Sequence, residues 1–177
     1  MRFNRHFFGF VLSLSVLTIG SEGSTLAAFD QVEAATTCDV TEPNGIVAGT
    51  DQPDAHSYGN RHISVGPFGL WPEGTVVFKP GGPGFVTRDG ALGMKFGWTR
   101  GVRGQLRIEG RRLDAPAPPL RSEVNNGYGS IGFHASYVVF PTPGCWEVTG
   151  SVADARVTFV TRVVKIGDGP SWRRDPR

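Results

Sequence analysis

Alternation of large apolar residues with small or polar ones is the clearest pattern in this chain. In the stretch 92–99, the large apolar side chains are Leu92, Met94, Phe96 and Trp98. Because successive side chains of a strand point to opposite faces, this spacing predicts a strand with one buried face. No stretch shows a sustained 3.6-residue apolar spacing, so the pattern predicts little helix.

The alternation resumes after the turn 101–104. Leu106 and Ile108 take one face of the stretch 105–111, and charged residues take the other. The stretches 92–99 and 105–111 are therefore predicted to pair as a β-hairpin with one solvated face. Five further strands are predicted over 62–65, 75–78, 137–140, 145–152 and 156–166.

Glycine and proline divide the chain into short segments. With 25 Gly and 13 Pro, about seven strands separated by turns predict an all-β fold, an antiparallel β-sandwich. The proline-rich stretch 115–119 lacks the backbone donors that a sheet interior requires, so we expect it to cross between the two sheets. Residues 167–177 have little apolar content and are predicted to form a flexible tail.

The first residues resemble an export leader. Arg2 and Arg5 precede an apolar run, 7–19, and small residues follow it, which are the parts of a secretory signal. The run is shorter than the roughly 20 apolar residues that span a bilayer, and no later stretch predicts a transmembrane segment. The interpretation is a signal peptide over 1–34, cleaved after position 28 or 34, and a β-sandwich domain over 35–166.

Both cysteines, Cys38 and Cys145, lie beyond this leader. A disulfide between them is predicted, in an oxidising compartment outside the cytoplasm. Trp146 and its alternate neighbours form the apolar face of their strand, so Cys145 should point away from the core or lie at its rim. The bridge would then hold the segment after the leader along an outer edge. The alternative is a lipid anchor on Cys38, although Thr37 stands where such a signal prefers Gly, Ala or Ser.

The chain offers few signs of chemistry. Its net charge of +2, without a clustered basic face, does not predict nucleic-acid binding. No histidine has a partner at a zinc-ligand spacing, and no cofactor motif is present. The stretch 51–56 contains Asp51, Asp54 and His56, which fit either a loop cation site or a polar turn, and the turn is favoured. No Gly-x-Ser-x-Gly elbow occurs, so no catalytic residue is assigned.

One group of residues fits the binding of an anion. The candidate patch consists of Arg100, Arg103, Arg111, Arg112 and Tyr128. Guanidinium groups match the geometry of carboxylate and phosphate, so the expected partner is an anionic glycan or an acidic envelope protein. The alternative is that these arginines only solubilise a sheet edge. Trp98 and Trp146 lie on apolar faces and are predicted to be core residues rather than sugar platforms.

Several motifs carry a resemblance. They are Met94-Lys95-Phe96-Gly97-Trp98, the stretch 110–121 beginning Gly-Arg-Arg-Leu-Asp, Gly127-Tyr128-Gly129, and the stretch 140–150 containing Pro-Thr-Pro-Gly-Cys-Trp. Together they resemble a family of exported bacterial proteins of unknown function. The late Gly-Cys-Trp strand and the strand after it also resemble the last two strands of immunoglobulin-like modules. This resemblance implies an immunoglobulin-like sandwich and no particular activity.

The sequence therefore favours a non-enzymatic binding or structural module, secreted or periplasmic, belonging to the bacterial envelope or exterior. Two rivals stay open. A secreted ligand or inhibitor would show an exposed apolar loop around 68–71. A small secreted hydrolase would bring an imidazole beside a carboxylate in a pocket, the candidates being His56 and His134 with Asp51, Asp54 and Asp114.

Overall fold

The alternating stretches form strands whose apolar faces meet between two sheets. The computed structural model describes residues 37–67, 70–71 and 74–167, except for the side chains at 67, 70 and 71. The described residues form no helix. Their eleven strands are β1 (Tyr58–Gly59), β2 (Ile63–Pro67), β3 (Leu70–Trp71), β4 (Thr75–Phe78), β5 (Phe85–Val86), β6 (Leu92–Arg100), β7 (Leu106–Arg112), β8 (Arg121–Val124), β9 (Gly132–Phe140), β10 (Gly144–Val152) and β11 (Ala155–Lys165).

Each sheet has one continuous strand order among the described residues. The first sheet runs β1-β2-β6-β9-β8, with β5 also paired to β6, and the second runs β3-β4-β11-β10-β7. Among the described strands, β4 and β11 alone pair in parallel, over four residues, and the other pairs are antiparallel. The prediction of an all-β fold with two sheets is confirmed.

The predicted hairpin of 92–99 with 105–111 is wrong. β6 pairs with β2 and β9 in the first sheet, whereas β7 pairs with β10 in the second. Leu106 and Ile108 are buried in the core shared by both sheets. β6 and β7 each have one apolar face. Placing the two faces opposite one another in different sheets buries both, whereas pairing the strands side by side would leave both faces exposed unless another element packed on them. The turn 101–104 therefore passes from one sheet to the other.

The proline-rich stretch 115–119 crosses between the sheets, as predicted. It connects β7 of the second sheet to β8 of the first. Backbone bonds fasten both ends of the crossing: the amide of Leu113 donates to the carbonyl of Cys145 at 2.8 Å, and that of Leu120 donates to Gly110 at 3.1 Å. The crossing closes this side of the sandwich over its apolar interior.

Tryptophan packing joins the two sheets. Trp98 and Trp146 are fully buried, which confirms their assignment to the core. The Trp98 indole lies against Gly150 of β10, where an added Cβ would be only 2.0 Å from the ring. Its Nε1 donates to the Ser136 hydroxyl at 3.0 Å, so the buried N–H is satisfied. The rings of Trp146 and Phe140 meet edge to face, with centroids 5.7 Å apart.

The disulfide links the first described residues to β10. Cys38 and Cys145 are bonded across a sequence separation of 107, and Cys145 points to the face opposite Trp146, as predicted. Just beyond Cys38, the amide of Thr41 donates to the Val160 carbonyl at 3.0 Å, and the Val160 amide donates to the Thr41 hydroxyl at 2.8 Å. These bonds cover part of the β11 edge that β4 leaves unpaired, which keeps it from pairing with another chain.

Two predicted segments fall outside this description. The signal peptide over 1–34 lies wholly outside the described residues, as does the tail 167–177 apart from Gly167. Among the residues that are described, no helix has the length and apolarity needed to cross a membrane.

We expect Gly150→Ala to destabilise the fold by about 1–3 kcal/mol, because the new methyl group overlaps the Trp98 indole in a filled core. Urea unfolding followed by tryptophan fluorescence measures the change. Gly66→Ala is the matched control, since a Cβ at Gly66 in β2 meets only ordinary contacts, the nearest at 3.5 Å. Equal stability of the two variants would contradict the tight packing of Trp98 on Gly150.

We also expect reduction of the disulfide to lower the unfolding temperature. Chain-entropy arguments give a loss of about 4–5 kcal/mol for a loop of this length. Thermal unfolding with and without reductant, on protein whose intact mass shows the oxidised form, measures the effect. An unchanged unfolding temperature after complete reduction would show that the bridge adds nothing to stability.

Candidate functional site

Three exposed apolar side chains cluster at the end of the sandwich where β9 begins. Tyr128 is 40% exposed, Ile131 49% and Phe133 50%. They are three of the five large hydrophobic side chains that are exposed in the described part of the chain. We call these three residues the Tyr128 patch. Clustered exposed apolar groups are typical of binding surfaces, whereas single ones are ordinary.

The short length of β8 creates this patch. β8 ends at Val124, opposite Ser136, so the first residues of β9 have no β8 neighbour and the loop 125–131 lies there instead. Nε2 of His134 bonds the Asn125 carbonyl at 2.8 Å. Tyr128 stacks on the His134 ring, with centroids 4.4 Å apart and planes 21° from parallel.

His134 holds Tyr128 from beneath. Its ring is buried. The Asn125 carbonyl oxygen can only accept a hydrogen bond, so Nε2 of His134 carries the proton and donates it. Nδ1 is buried without a hydrogen-bond partner among the described residues. Phe133 also contacts Tyr128 in an edge-to-face arrangement, with ring centroids 6.1 Å apart. Tyr128 therefore contacts one buried and one exposed ring, and 40% of its surface stays exposed.

A buried guanidinium fastens the backbone around the patch. Arg100 is the last residue of β6 and faces inward, and it is only 3% exposed. Its nitrogens donate to the carbonyls of Gly104 at 3.0 Å, Gly132 at 3.4 Å and Gly129. No carboxylate forms an ion pair with it in the described part of the chain. Burial lowers the pKa of Arg100, yet a guanidinium stays charged in proteins. The three carbonyl groups therefore replace water as its hydrogen-bond acceptors.

Arg103 supplies an exposed cation beside the patch. It lies in the turn after β6, and its Nη1 donates to the Ser130 hydroxyl at 2.9 Å. The Gly104 amide donates to the Ser130 carbonyl at 3.1 Å, so turn and loop are joined through both backbone and side chain. Arg100, Arg103 and Tyr128 are thus brought to one end of the molecule.

Arg111 and Arg112 lie at the other end of β7. The strand has seven residues and rises about 3.3 Å per residue, so roughly 20 Å separates its two ends. Arg111 pairs with Glu147 at 2.8 Å, and Arg112 pairs with Asp114 at 2.6 Å. The predicted hairpin of 92–99 with 105–111, which would have carried the four arginines, is not formed. The five candidate residues lie in two groups, at opposite ends of β7.

Arg112 instead joins the two longest sequence motifs. Besides the Asp114 carboxylate, it contacts the Thr142 hydroxyl at 3.1 Å. Gly144 lies directly under the guanidinium, since a Cβ there would be 2.4 Å from Nε of Arg112. The Thr142 carbonyl accepts from the Trp146 indole at 3.0 Å. The Gly-Arg-Arg-Leu-Asp and Pro-Thr-Pro-Gly-Cys-Trp motifs therefore form one structural unit beside the disulfide.

The other candidates of the sequence are not assembled into a site. Asp54 accepts from the His56 amide at 3.1 Å and from the Ser57 hydroxyl at 3.0 Å, which is the polar turn favoured above. No group of three metal-ligating side chains occurs among the described residues. No imidazole in those residues hydrogen-bonds a carboxylate. The apolar-loop hypothesis for 68–71 falls outside the described side chains.

Sequence reasoning missed Ile131 and Phe133, and it considered His134 only as a possible catalytic imidazole. The predicted strand began at Tyr137, whereas β9 begins at Gly132. The sequence did contain a sign that the strand starts earlier, because large apolar residues at 131 and 133 alternate with Gly132 and His134. What the alternation does not reveal is that β8 is too short to flank this part of β9.

Comparisons with known proteins give no further guide to this site. No family model matches the chain, and no curated protein or solved structure matches it either. Its function is therefore argued from the geometry of the patch.

We expect Asp114→Asn to lower stability by about 1–2 kcal/mol at pH 7, because a partly buried carboxylate loses its charge-assisted bonds. Hydrogen bonding from Arg112 lowers the pKa of Asp114 in the folded protein. Its contribution is therefore complete above the unfolded pKa and lost as pH falls through the folded one, so the difference between variant and wild type should narrow below about pH 4.

Denaturant titrations across this pH range measure that difference. Asp154→Asn is the control, because Asp154 is exposed and forms no ion pair in the described part of the chain. A loss of stability for Asp114→Asn that is independent of pH would contradict the role of the carboxylate charge.

Proposed function

We propose that this chain is an exported, non-enzymatic binding module that binds an anionic glycan through the Tyr128 patch and Arg103. The observation that supports it best is the exposed aromatic cluster held beside an exposed guanidinium at one end of the sandwich. Acidic sugars such as uronates present both an apolar ring face and a carboxylate, and this surface offers a partner for each.

The two kinds of group have separate roles in this proposal. Aromatic rings provide a large contact area, and Tyr has a polar end that tolerates water. The exposed part of the Tyr128 ring, together with the exposed Phe133 ring, packs against the C–H face of a sugar ring. The Arg103 guanidinium has the fork geometry that pairs with a carboxylate through two hydrogen bonds. Charge then selects acidic sugars over neutral ones.

Preorganisation of the loop favours such binding. Binding costs less when side chains and loops are already ordered. Here His134 supports the Tyr128 ring, and Arg100 fixes the backbone at Gly129 and Gly104. The buried charge of Arg100 also adds positive potential behind the surface, because the described residues offer it no carboxylate. Both effects support binding of an anion at this end.

The strand order supports an immunoglobulin-like description of the fold. Immunoglobulin domains place strands A, B, E and D in one sheet and C, F and G in the other. Here β2, β6, β9 and β8 follow the first order, and β7, β10 and β11 follow the second. The disulfide differs, since it joins β10 to the segment before β1 rather than joining the two sheets. This fold has many functions, so it does not by itself indicate a ligand.

The proposed location is outside the cytoplasm, in the periplasm or beyond. A disulfide is compatible with an oxidising compartment, and the leader-like segment and the resemblance to exported bacterial proteins favour the same place. The disulfide also favours a secreted chain over a lipid-anchored one, because Cys38 is already bonded.

We expect the protein to bind oligomannuronate and not the neutral mannose oligosaccharide of equal length. Arg103→Ala and Tyr128→Ala should each weaken binding several-fold, since one removes the carboxylate partner and the other the ring platform. Titration calorimetry at low and at physiological salt measures the affinity, which should fall with salt because the interaction is charged.

Arg111→Ala is the matched control, because it removes an arginine of the same exposed type at the far end of β7. Thermal unfolding of each variant checks that the fold is intact. Equal binding of the neutral oligosaccharide, or equal loss in Arg111→Ala and Arg103→Ala, would overturn the proposed site.

A further inference from the structure

The chain contains two Asn-Gly pairs, Asn44–Gly45 and Asn126–Gly127. We propose that Asn126 is a site of spontaneous deamidation, and that the fold protects Asn44 from the same reaction. The inference concerns a covalent modification and goes beyond the proposed glycan binding. Asn126 lies in the loop 125–131 that carries Tyr128, so the modification would place a new negative charge within the candidate site.

The reaction needs only water. The backbone nitrogen of Gly127 attacks Cγ of the Asn126 side chain, a C–N bond forms, and the Cγ–Nδ2 bond breaks with release of ammonia. Water then opens the cyclic imide at either carbonyl to give aspartate or isoaspartate. Glycine after asparagine favours ring closure, because it has no side chain to obstruct the approach and the widest backbone freedom.

The geometry leaves both reacting groups of Asn126–Gly127 accessible. Both residues are exposed. Nothing lies within 4 Å of the position a Cβ would take at Gly127, whose φ is +94°. In the described part of the chain, neither the Asn126 side chain nor the Gly127 amide makes a hydrogen bond. Ring closure at Asn126 therefore breaks no hydrogen bond of the two reacting groups themselves.

In Asn44–Gly45, by contrast, both reacting groups are hydrogen-bonded. The Asn44 amide nitrogen donates to the Gly59 carbonyl at 2.8 Å, and its side-chain oxygen accepts from the amides of Ile46 and Gly59, both at 3.1 Å. The attacking nitrogen, that of Gly45, donates to the Ser57 carbonyl at 3.0 Å. Ring closure here must break several of these bonds first. Identical dipeptides in one molecule thus differ only in their surroundings.

Modification of Asn126 would act on the patch in two ways. It replaces a neutral amide with a carboxylate in the loop whose Ser130 hydroxyl binds Arg103. Isoaspartate also adds one methylene to the backbone between Asn125, whose carbonyl His134 binds, and Gly129, whose carbonyl Arg100 binds. On the proposed function, which this consequence rests upon, the modified form binds oligomannuronate several-fold more weakly. The chemical reaction itself does not depend on that function.

The test is incubation of the oxidised full-length protein at mildly alkaline pH, followed by peptide mass mapping over several days. We expect the peptide containing Asn126 to convert to the acid several-fold faster than the peptide containing Asn44. In denaturant with reductant, where the fold is lost, the two peptides should convert at similar rates. Asn126→Gln should abolish the fast conversion, which separates Asn126 from its neighbour Asn125.

Equal rates at the two sites in the folded protein, or a faster reaction at Asn44, would overturn the inference. So would conversion of Asn126 that occurs only in denaturant. The functional consequence is tested separately by the affinity of Asn126→Asp for oligomannuronate. If oligomannuronate does not bind the wild-type protein, the proposed function fails while the mass measurement still decides the modification site.

Discussion

Packing of the Trp98 indole against Gly150 determines how the two sheets meet. Glycine leaves room on β10 for the largest side chain of β6, and interiors are packed closely enough that no smaller gap would accept it. Arg100 is the next inward-facing residue of β6 after Trp98, so its side chain lies at the end of the same core. Three backbone carbonyls bind its guanidinium there. The core thus ends in a polar fastening that orders the surrounding loops.

Arginine side chains lie near both ends of β7, but they differ in how many partners they have within the fold. Near Arg112, a carboxylate and a hydroxyl occupy the guanidinium, and the result is a rigid corner beside the disulfide. Near Arg103, the guanidinium has one hydroxyl partner and an exposed aromatic neighbourhood. A charged group whose partners are already within the fold stabilises the fold, whereas one with remaining donors is available to a ligand.

The order and location of strands were largely accessible from the pattern, and the pairing was not. The prediction for β4 matched its bounds, and β6, β10 and β11 were found within a residue or two. The strands β1, β3 and β5 were missed because two residues show no alternation, and β8 was missed because Val124 is its only apolar residue. The hairpin of β6 with β7 was wrong because alternation identifies a buried face without identifying what covers it.

Local periodicity, proline chemistry and cysteine count are properties of the amino-acid sequence. They were therefore enough to predict the all-β class, the burial of Trp98 and Trp146, the crossing at 115–119 and the outward disulfide. Which residues share a surface became known from the three-dimensional arrangement of the strands. This arrangement separated Arg111 and Arg112 from Arg103, buried Arg100, and placed Phe133 beside Tyr128. These outcomes depend on strand order and on the short length of β8, which contacts between distant parts of the chain establish and local spacing does not encode.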